Sequence, residues 1–176
     1  MNWTELLTDL MNAAYGSTKG LMDLVDEDLL GWKPASGENW MTTGQLLEHL
    51  ATSCGAPCKG FVTGDWGMPE GVSVEDMPPE DMLPRAERMP AVESLDEARR
   101  KLAEDKQTAF EMVALAGEEA LATQPAMAPW DPTPHPLGYM LLQMVIHLNQ
   151  HKAQLFYYLK LQGKPVNTGH LWGMAE

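Results

Sequence analysis

Basic residues are scarce: 12 Lys and Arg stand against 25 Asp and Glu among 176 residues, a formal net charge of -13. This balance disfavours a sequence-independent grip on nucleic-acid phosphates and attraction to an anionic membrane surface. No run reaches the roughly 18 apolar residues that span a bilayer, and the N-terminal MNWTELLTDL lacks the basic region and cleavage site of a secretory signal. We therefore expect a soluble, cytoplasmic protein with no nucleic-acid or membrane partner.

Cysteine is also scarce, since the chain has only Cys54 and Cys58. Two thiols cannot form the disulfide framework of a small secreted domain. On a continuous helix they would lie about 140° and about 180° around the axis from His49, so both would face away from it. Two interpretations stay open: small thiols near a frayed helix end, or exposed thiols that form a regulatory disulfide.

Several catalytic motifs are missing. The chain has no GxxxxGK[ST] phosphate loop, no GxSxG nucleophile elbow and no CxxCH haem attachment sequence. Nucleotide chemistry, acyl-serine chemistry and covalent haem are therefore not expected.

The residues that are present favour one all-α domain over 1–176. Hydrophobic residues make up 44% of the chain, and the 13 Met suit irregular helix-packed cores. Apolar spacing and capping boxes predict four helices that form a bundle. They run from Trp3 to about Leu30, from Thr42 through Cys54 with fraying or a kink near Pro57, from Ser94 to near Gly117, and from Leu137 to Gln162.

The connections carry no strand pattern. Residues 64–93 hold five prolines and eight acidic side chains, which predicts a long irregular segment between the second and third helices. Such a segment crosses a bundle or guards a site, and we expect a solvated lid. Residues 164–176 are expected to form a C-terminal tail.

Three of the five histidines fall where long apolar helices point inward. His49 lies in LLEHL, and His147 and His151 lie one helical turn apart in MVIHLNQHKAQL, about 40° apart around the axis. Together they can hold one metal ion and leave a coordination position open for water or substrate. The alternative is that each imidazole is satisfied by hydrogen bonds without a metal. We expect no metal at His135 or His170.

The neighbours of these histidines exclude two classes of metal enzyme. Leu148 stands where the HExxH helix of a zincin carries its Glu, so the peptidase base is missing. The residues three before each histidine are Leu46, Met144 and Leu148, so the Glu-x-x-His pairs of di-iron proteins are missing too. Glu48 is expected to be a solvated helix residue, or one that orients His49.

At these residues the sequence resembles the DinB and YfiT-like group of metal-binding four-helix bundles. LLGWKPASGENWMTTGQLLEHL resembles the turn and second helix of the group, and HLNQHKAQLFYYLKLQGKPV resembles its last helix. That helix typically reads H-x-x-x-H-R-G-Q-L and ends at Gly before Pro. The matches here are His147, His151, Gln154, Leu155, Gly163 and Pro165, while Lys152 and Ala153 stand where Arg and Gly are usual.

The resemblance implies an up-down-down-up bundle, a divalent metal such as nickel, zinc or manganese, and a homodimer. Characterised members include transferases and isomerases that use low-molecular-weight thiols such as mycothiol, bacillithiol or glutathione. We therefore expect a metal-dependent thiol S-transferase or, with water in the open position, a hydrolase. Trp66, Trp130 and Tyr139 are candidates for contacts to a small-molecule substrate.

Two alternatives remain open. The first is a non-catalytic metal-binding module of stress-response type, with Cys54 and Cys58 sensing redox state or metal. The second is a metal-free bundle whose histidines are hydrogen-bonded in the core.

Overall fold

Helices make up most of the chain in the computed structural model, which describes residues 1–69, 71–82 and 84–174. The helices are α1 (Trp3–Met22), α2 (Thr43–Leu50), α3 (Gly55–Thr63), α4 (Pro79–Met82), α5 (Leu95–Thr123), α6 (Leu137–Leu161) and α7 (Thr168–Trp172). A hairpin of β1 (Pro125–Ala128) and β2 (Asp131–Pro136) joins α5 to α6. Among the described residues, no helix combines the length and apolarity needed to cross a membrane.

The first helix is shorter than its apolar pattern predicts. The pattern continues to Leu30, but α1 ends at Met22 and a short 3-10 turn follows at Glu27–Leu29. The amides of Leu24 and Val25 bond to carbonyls three residues back, and this tighter winding ends the α-helix. Val25 is still buried, so the pattern reflects contact with the core beyond the helix end.

The predicted second helix is two helices. Its start is confirmed, because the Thr42 hydroxyl accepts from the Gln45 amide and the Gln45 side chain accepts from the Thr42 amide. The interruption lies before Pro57, and the prediction that the helix continues through Cys54 is wrong. A proline inside a helix clashes with the carbonyl four residues earlier and is tolerated only in the first turn. Pro57 lies in the first turn of α3, which begins at Gly55.

The third helix begins as predicted but extends further. The Ser94 hydroxyl accepts from the Glu97 amide at 3.1 Å. Gly117 marks a kink with φ 70° and ψ 167°, a conformation open to glycine, and the helix resumes to Thr123. Leu121 in this last segment is fully buried, so packing in the core explains why the helix does not stop at the glycine.

Two connections contain more structure than expected. The prediction that the connections contain no strands is wrong for residues 125–136. There β1 and β2 pair antiparallel, with Ala126 opposite His135. Prolines are tolerated there because both strands of a two-stranded sheet are edges. The predicted tail contains α7, whose start is capped by Asn167. The segment 64–93 is irregular apart from 3-10 turns at Val74–Asp76 and Ala86–Arg88 and the single turn of α4.

The core lies between the long helices. Both α1 and α3 pack against α5 and α6, and α2 packs mainly against α6. The α6 side chains Leu141, Leu148, Leu155 and Leu159 are fully buried. Each such side chain contributes about 1.5–3 kcal/mol by leaving water. The mostly helical class is confirmed, while the up-down-down-up order and the single domain over 1–176 stay predictions.

Candidate metal centre

Three imidazoles meet where α2 faces α6. The Nε2 atom of His147 lies 3.2 Å from Nε2 of His49 and 3.0 Å from Nε2 of His151. One ligand atom from each residue falls within 4.8 Å of the others. The structure therefore brings together the three histidines selected from the sequence, and His135 and His170 are not part of this cluster.

Hydrogen bonds define which ring nitrogen carries the proton in two of the three histidines. The Nδ1 atom of His147 lies 3.3 Å from the Ser53 carbonyl oxygen, and Nδ1 of His151 lies 3.1 Å from Oε1 of Gln154. Both partners only accept, so each Nδ1 carries the hydrogen and each neutral ring has a lone pair on Nε2. Two lone pairs 3.0 Å apart repel unless a cation or a shared proton lies between them. The donor set therefore fits a divalent ion.

The side chain of Gln154 is itself held in place. Its Nε2 group donates to the hydroxyl of Tyr158 at 3.3 Å, and that hydroxyl donates to the Met41 carbonyl at 2.9 Å. Tyr158 is almost fully buried. A chain of hydrogen bonds thus runs from the backbone ahead of α2 to the imidazole of His151, which fixes its tautomer and its orientation.

Burial keeps the three imidazoles uncharged. It lowers the pKa of His49 to about 3, with smaller contributions from His151 and His147. Burial also lowers the pKa of His147 and of His151, although their bonds to Ser53 and Gln154 act in the opposite direction. Neutral imidazole is the form that binds metals, so the electrostatics of the cluster favour metal binding at neutral pH.

A residue that sequence reasoning missed binds the backbone that follows Ser53. Asp105 of α5 is buried and accepts from the amides of Gly55 at 2.9 Å and Ala56 at 2.8 Å, and from the Tyr15 hydroxyl at 2.6 Å. The pKa of Asp105 is raised overall, because the effect of burial exceeds the opposite effect of these hydrogen bonds. The carboxylate binds the first turn of α3, two residues after Ser53. The signal in the sequence is an acidic residue on the inward face of a helix.

The cysteines are not exposed, which contradicts the alternative of exposed thiols that form a regulatory disulfide. Cys54 and Cys58 are free and fully buried, because the break between α2 and α3 turns this segment into the core. The hydrogen bond to Cys54 and burial raise the pKa of the Cys58 thiol well above its usual value. A protonated, inaccessible thiol reacts slowly, which weakens a sensing role.

Glu48 is also less solvated than expected. Its side chain is 12% exposed and lies 2.8 Å from Nζ of Lys101, so it links α2 to α5. Lys101 pairs with Glu97 as well, at 2.9 Å. The pairing fixes the helix that carries His49.

A cavity of about 640 Å³ opens onto the three histidines. Trp130 and Tyr139, two of the three side chains proposed from the sequence for substrate contacts, line it. Trp66 does not line the cavity; it packs against Trp130 with ring centroids 6.0 Å apart. Part of segment 64–93 forms one wall, as expected of a lid, through Met82, Pro84 and Met89.

Comparison with known families identifies one match. A family model described as the DinB superfamily matches residues 10–155, a range that contains all three histidines. No curated protein and no solved structure gives a significant match to this chain.

Proposed function

The chain belongs to the DinB superfamily, and from this premise we propose that it is a metal-dependent enzyme whose His49, His147 and His151 hold one divalent ion. The observation that carries the proposal is the pair of Nε2 lone pairs 3.0 Å apart within a set of three converging imidazoles. Nickel, zinc and manganese are the candidate ions, and three imidazoles do not by themselves select one of them.

We propose that the protein transfers a low-molecular-weight thiol such as mycothiol, bacillithiol or glutathione to an electrophile: the sulfur bonds to an electrophilic carbon, and the thiol proton and the leaving group of that carbon are released. A divalent ion supplies a Lewis acid that lowers the pKa of a thiol or a water molecule in its open position. The chain has Leu148 where a zincin has its general base, which suits a nucleophile that needs no protein base. With water in the same position, the reaction would be a hydrolysis.

The surrounding residues have separate roles in this proposal. Ser53 and Gln154 hold the Nδ1 hydrogens of His147 and His151, so both Nε2 lone pairs stay directed at the ion. Met82 and Met89 of the connection line the cavity, and in this proposal their apolar side chains would limit the contact of water with the reacting atoms. The cavity itself accommodates a small-molecule substrate beside the ion.

Metal content tests the site. Tag-free protein is purified as wild type and as the His147→Ala, His151→Ala double variant, and its metals are measured by elemental analysis. We expect about one ion per chain in the wild type and none in the double variant. His170→Ala is the matched control, because His170 caps α7 and lies outside the cluster. Negligible metal in every protein after incubation with nickel, zinc and manganese would support the metal-free bundle.

Turnover tests the reaction. Metal-loaded protein is assayed with the three thiols against a panel of electrophiles, and with ester and amide substrates for hydrolysis. We expect thiol transfer that disappears in the double variant and survives replacement of both cysteines by Ser. Bound metal with no turnover on any panel would favour the non-catalytic metal-binding module.

We also propose a homodimer that works in the cytoplasm. Tyr157 and Leu161 lie one turn apart on α6 and are 62% and 65% exposed, an apolar strip that a second copy would cover. Two free cysteines suit a reducing compartment. Sedimentation of the wild type beside a Tyr157→Glu, Leu161→Glu variant tests the dimer, which the variant should not form.

A further inference from the structure

The cavity beside the three histidines has a wall rich in methionine. Methionine side chains are flexible and polarisable, and their sulfur atoms make favourable contacts with aromatic rings. Those that line the cavity come from three separate segments: Met41 before α2, Met82 and Met89 from the connection, and Met140 and Met144 from α6. Such a wall adapts its shape to an apolar ligand.

Two aromatic rings in the same wall keep much of their surface open. Trp130 is 46% exposed and Tyr139 is 37% exposed. Trp130 packs edge-on against Phe61 at 6.2 Å between ring centroids, and Tyr139 packs against His135 at 4.5 Å. Both rings are thus held by neighbouring rings while part of their surface stays exposed, which suits contact with a flat ligand.

The described lining of the cavity lacks a side chain with a permanent positive charge. Among the described residues that line it there is no Lys or Arg, and Asp131 places a carboxylate there. Asp131 is exposed and accepts from the Thr133 amide at 3.0 Å, and its bonds to Thr133, with a smaller contribution from His135, lower its pKa and keep it ionised. Proteins that bind carboxylates or phosphates supply Arg or Lys for them. A negatively charged ligand group would face the like charge of Asp131 and meet no Lys or Arg on the described lining.

We propose that the walls of this cavity select a compact aromatic co-substrate without a negative charge, which would lie beside the thiol held at the histidine end. The volume of about 640 Å³ falls in the range of small-molecule sites and leaves room for a fused ring beside the cluster. This inference rests on the proposed function only at the histidine end of the cavity, where the ion would be held. The selection by the walls depends on the methionines, Trp130, Tyr139 and Asp131.

Three naphthalene probes test whether the cavity disfavours negative charge. One carries a neutral hydroxymethyl group, one a cationic aminomethyl group and one an anionic carboxylate. Their binding to metal-free, full-length protein is measured by calorimetry. We expect the neutral and cationic probes to bind at least about tenfold more tightly than the carboxylate. Equal or tighter binding of the carboxylate, or no binding of any probe, would overturn the proposal.

Two variants test the walls. Trp130→Ala removes a stacking partner and should weaken the neutral probe about twofold to tenfold. Trp172→Ala removes an exposed tryptophan outside the cavity and should leave the binding unchanged. Gln143→Lys adds a cation to the wall and should shift the preference towards the carboxylate, whereas Gln107→Lys, on the exposed side of α5, should not. A loss of stability in Trp130→Ala does not affect the test by Gln143→Lys.

The same probes separate this inference from the proposed function. In metal-loaded protein a naphthyl thiol should bind more tightly than the naphthyl alcohol, because its sulfur reaches the ion. If the thiol binds no more tightly than the alcohol while the carboxylate still binds most weakly, the proposed role of the metal is wrong and the proposed substrate class stands. If the thiol gains affinity but the carboxylate binds metal-free protein as well as the alcohol does, the substrate class is wrong and the metal site stands.

Discussion

The side-chain amide of Gln154 determines which nitrogen of His151 faces the cluster. Its Oε1 lies 3.1 Å from Nδ1 of the histidine three residues earlier on α6, and this bond leaves the Nε2 lone pair towards His147. Buried Tyr158 holds the amide from the other side. The glutamine in the H-x-x-x-H…Q pattern of the sequence therefore has a physical role, which is to orient a ligand.

Replacing Gln154 by Leu should weaken metal binding about 10–100-fold, because His151 loses the acceptor that fixes its tautomer. Competition with a chromophoric chelator measures the affinity. Gln154→Glu keeps an acceptor at the same position and should retain the wild-type affinity or exceed it. An unchanged affinity in the Leu variant would show that the amide does not orient the ligand.

Asp105 should act on the metal through the backbone. Asp105→Asn weakens the hold on the amides of Gly55 and Ala56 and frees the segment that carries the Ser53 carbonyl. We expect about tenfold weaker metal binding, together with lower stability.

Tyr15→Phe is the matched control for this prediction. It removes the hydroxyl that donates to Asp105 but leaves both amide bonds in place. It should lower the stability alone, by about 1–3 kcal/mol. If both variants lose stability and neither loses metal affinity, Asp105 has no positioning role.

The histidine cluster should make the metal-free protein sensitive to acid. The pKa of His49 is about 3 in the folded protein against 6.5 ordinarily, so the unfolded chain binds more protons between these values. This contribution to stability is complete above pH 6.5 and is lost as the pH falls towards the folded value, at up to about 1.4 kcal/mol per pH unit for each proton.

Urea unfolding with a chelator present, between about pH 7 and about pH 5, measures this slope. His49→Gln removes the group with the largest shift and should flatten the profile relative to wild type. Parallel profiles for the two proteins would contradict the assignment of the acid sensitivity to the cluster.

Local patterns in the sequence predict the long helices and the three histidines well. The capping box at Thr42 is found as expected, Ser94 caps α5 although the Glu97 side chain accepts from the Glu93 amide rather than from that of Ser94, and the i, i+4 spacing places His147 and His151 on one side of α6. These features depend on residues a few positions apart. Hydrophobic periodicity misjudges helix ends, as at Met22, because Val25 is buried in a turn and continues the pattern.

Features that depend on distant contacts are not predictable from such patterns. The bond from Asp105 to the Gly55 amide joins residues 50 positions apart, and no spacing rule connects them. Cys54 is buried because the helix is interrupted between α2 and α3, and the contact of Asp105 with Gly55 helps to fix this interruption. The cavity wall has the same origin, because Met82, Trp130 and Met140 meet only in the tertiary structure.

The close approach of α3 to α5 allows no side chain at position 55. A Cβ atom on Gly55 would lie 2.0 Å from the Asp105 carbonyl oxygen, so Gly55→Ala must push the helices apart. We expect a loss of about 1–3 kcal/mol in the free energy of unfolding and weaker metal binding, because the Ser53 carbonyl moves with α3.

Gly16→Ala in α1 is the control: nothing lies within 4 Å of its Cβ, and helix propensity should raise stability by about 0.5–1 kcal/mol. Wild-type stability and metal affinity in Gly55→Ala would mean that this contact holds neither α3 nor the carbonyl that orients His147.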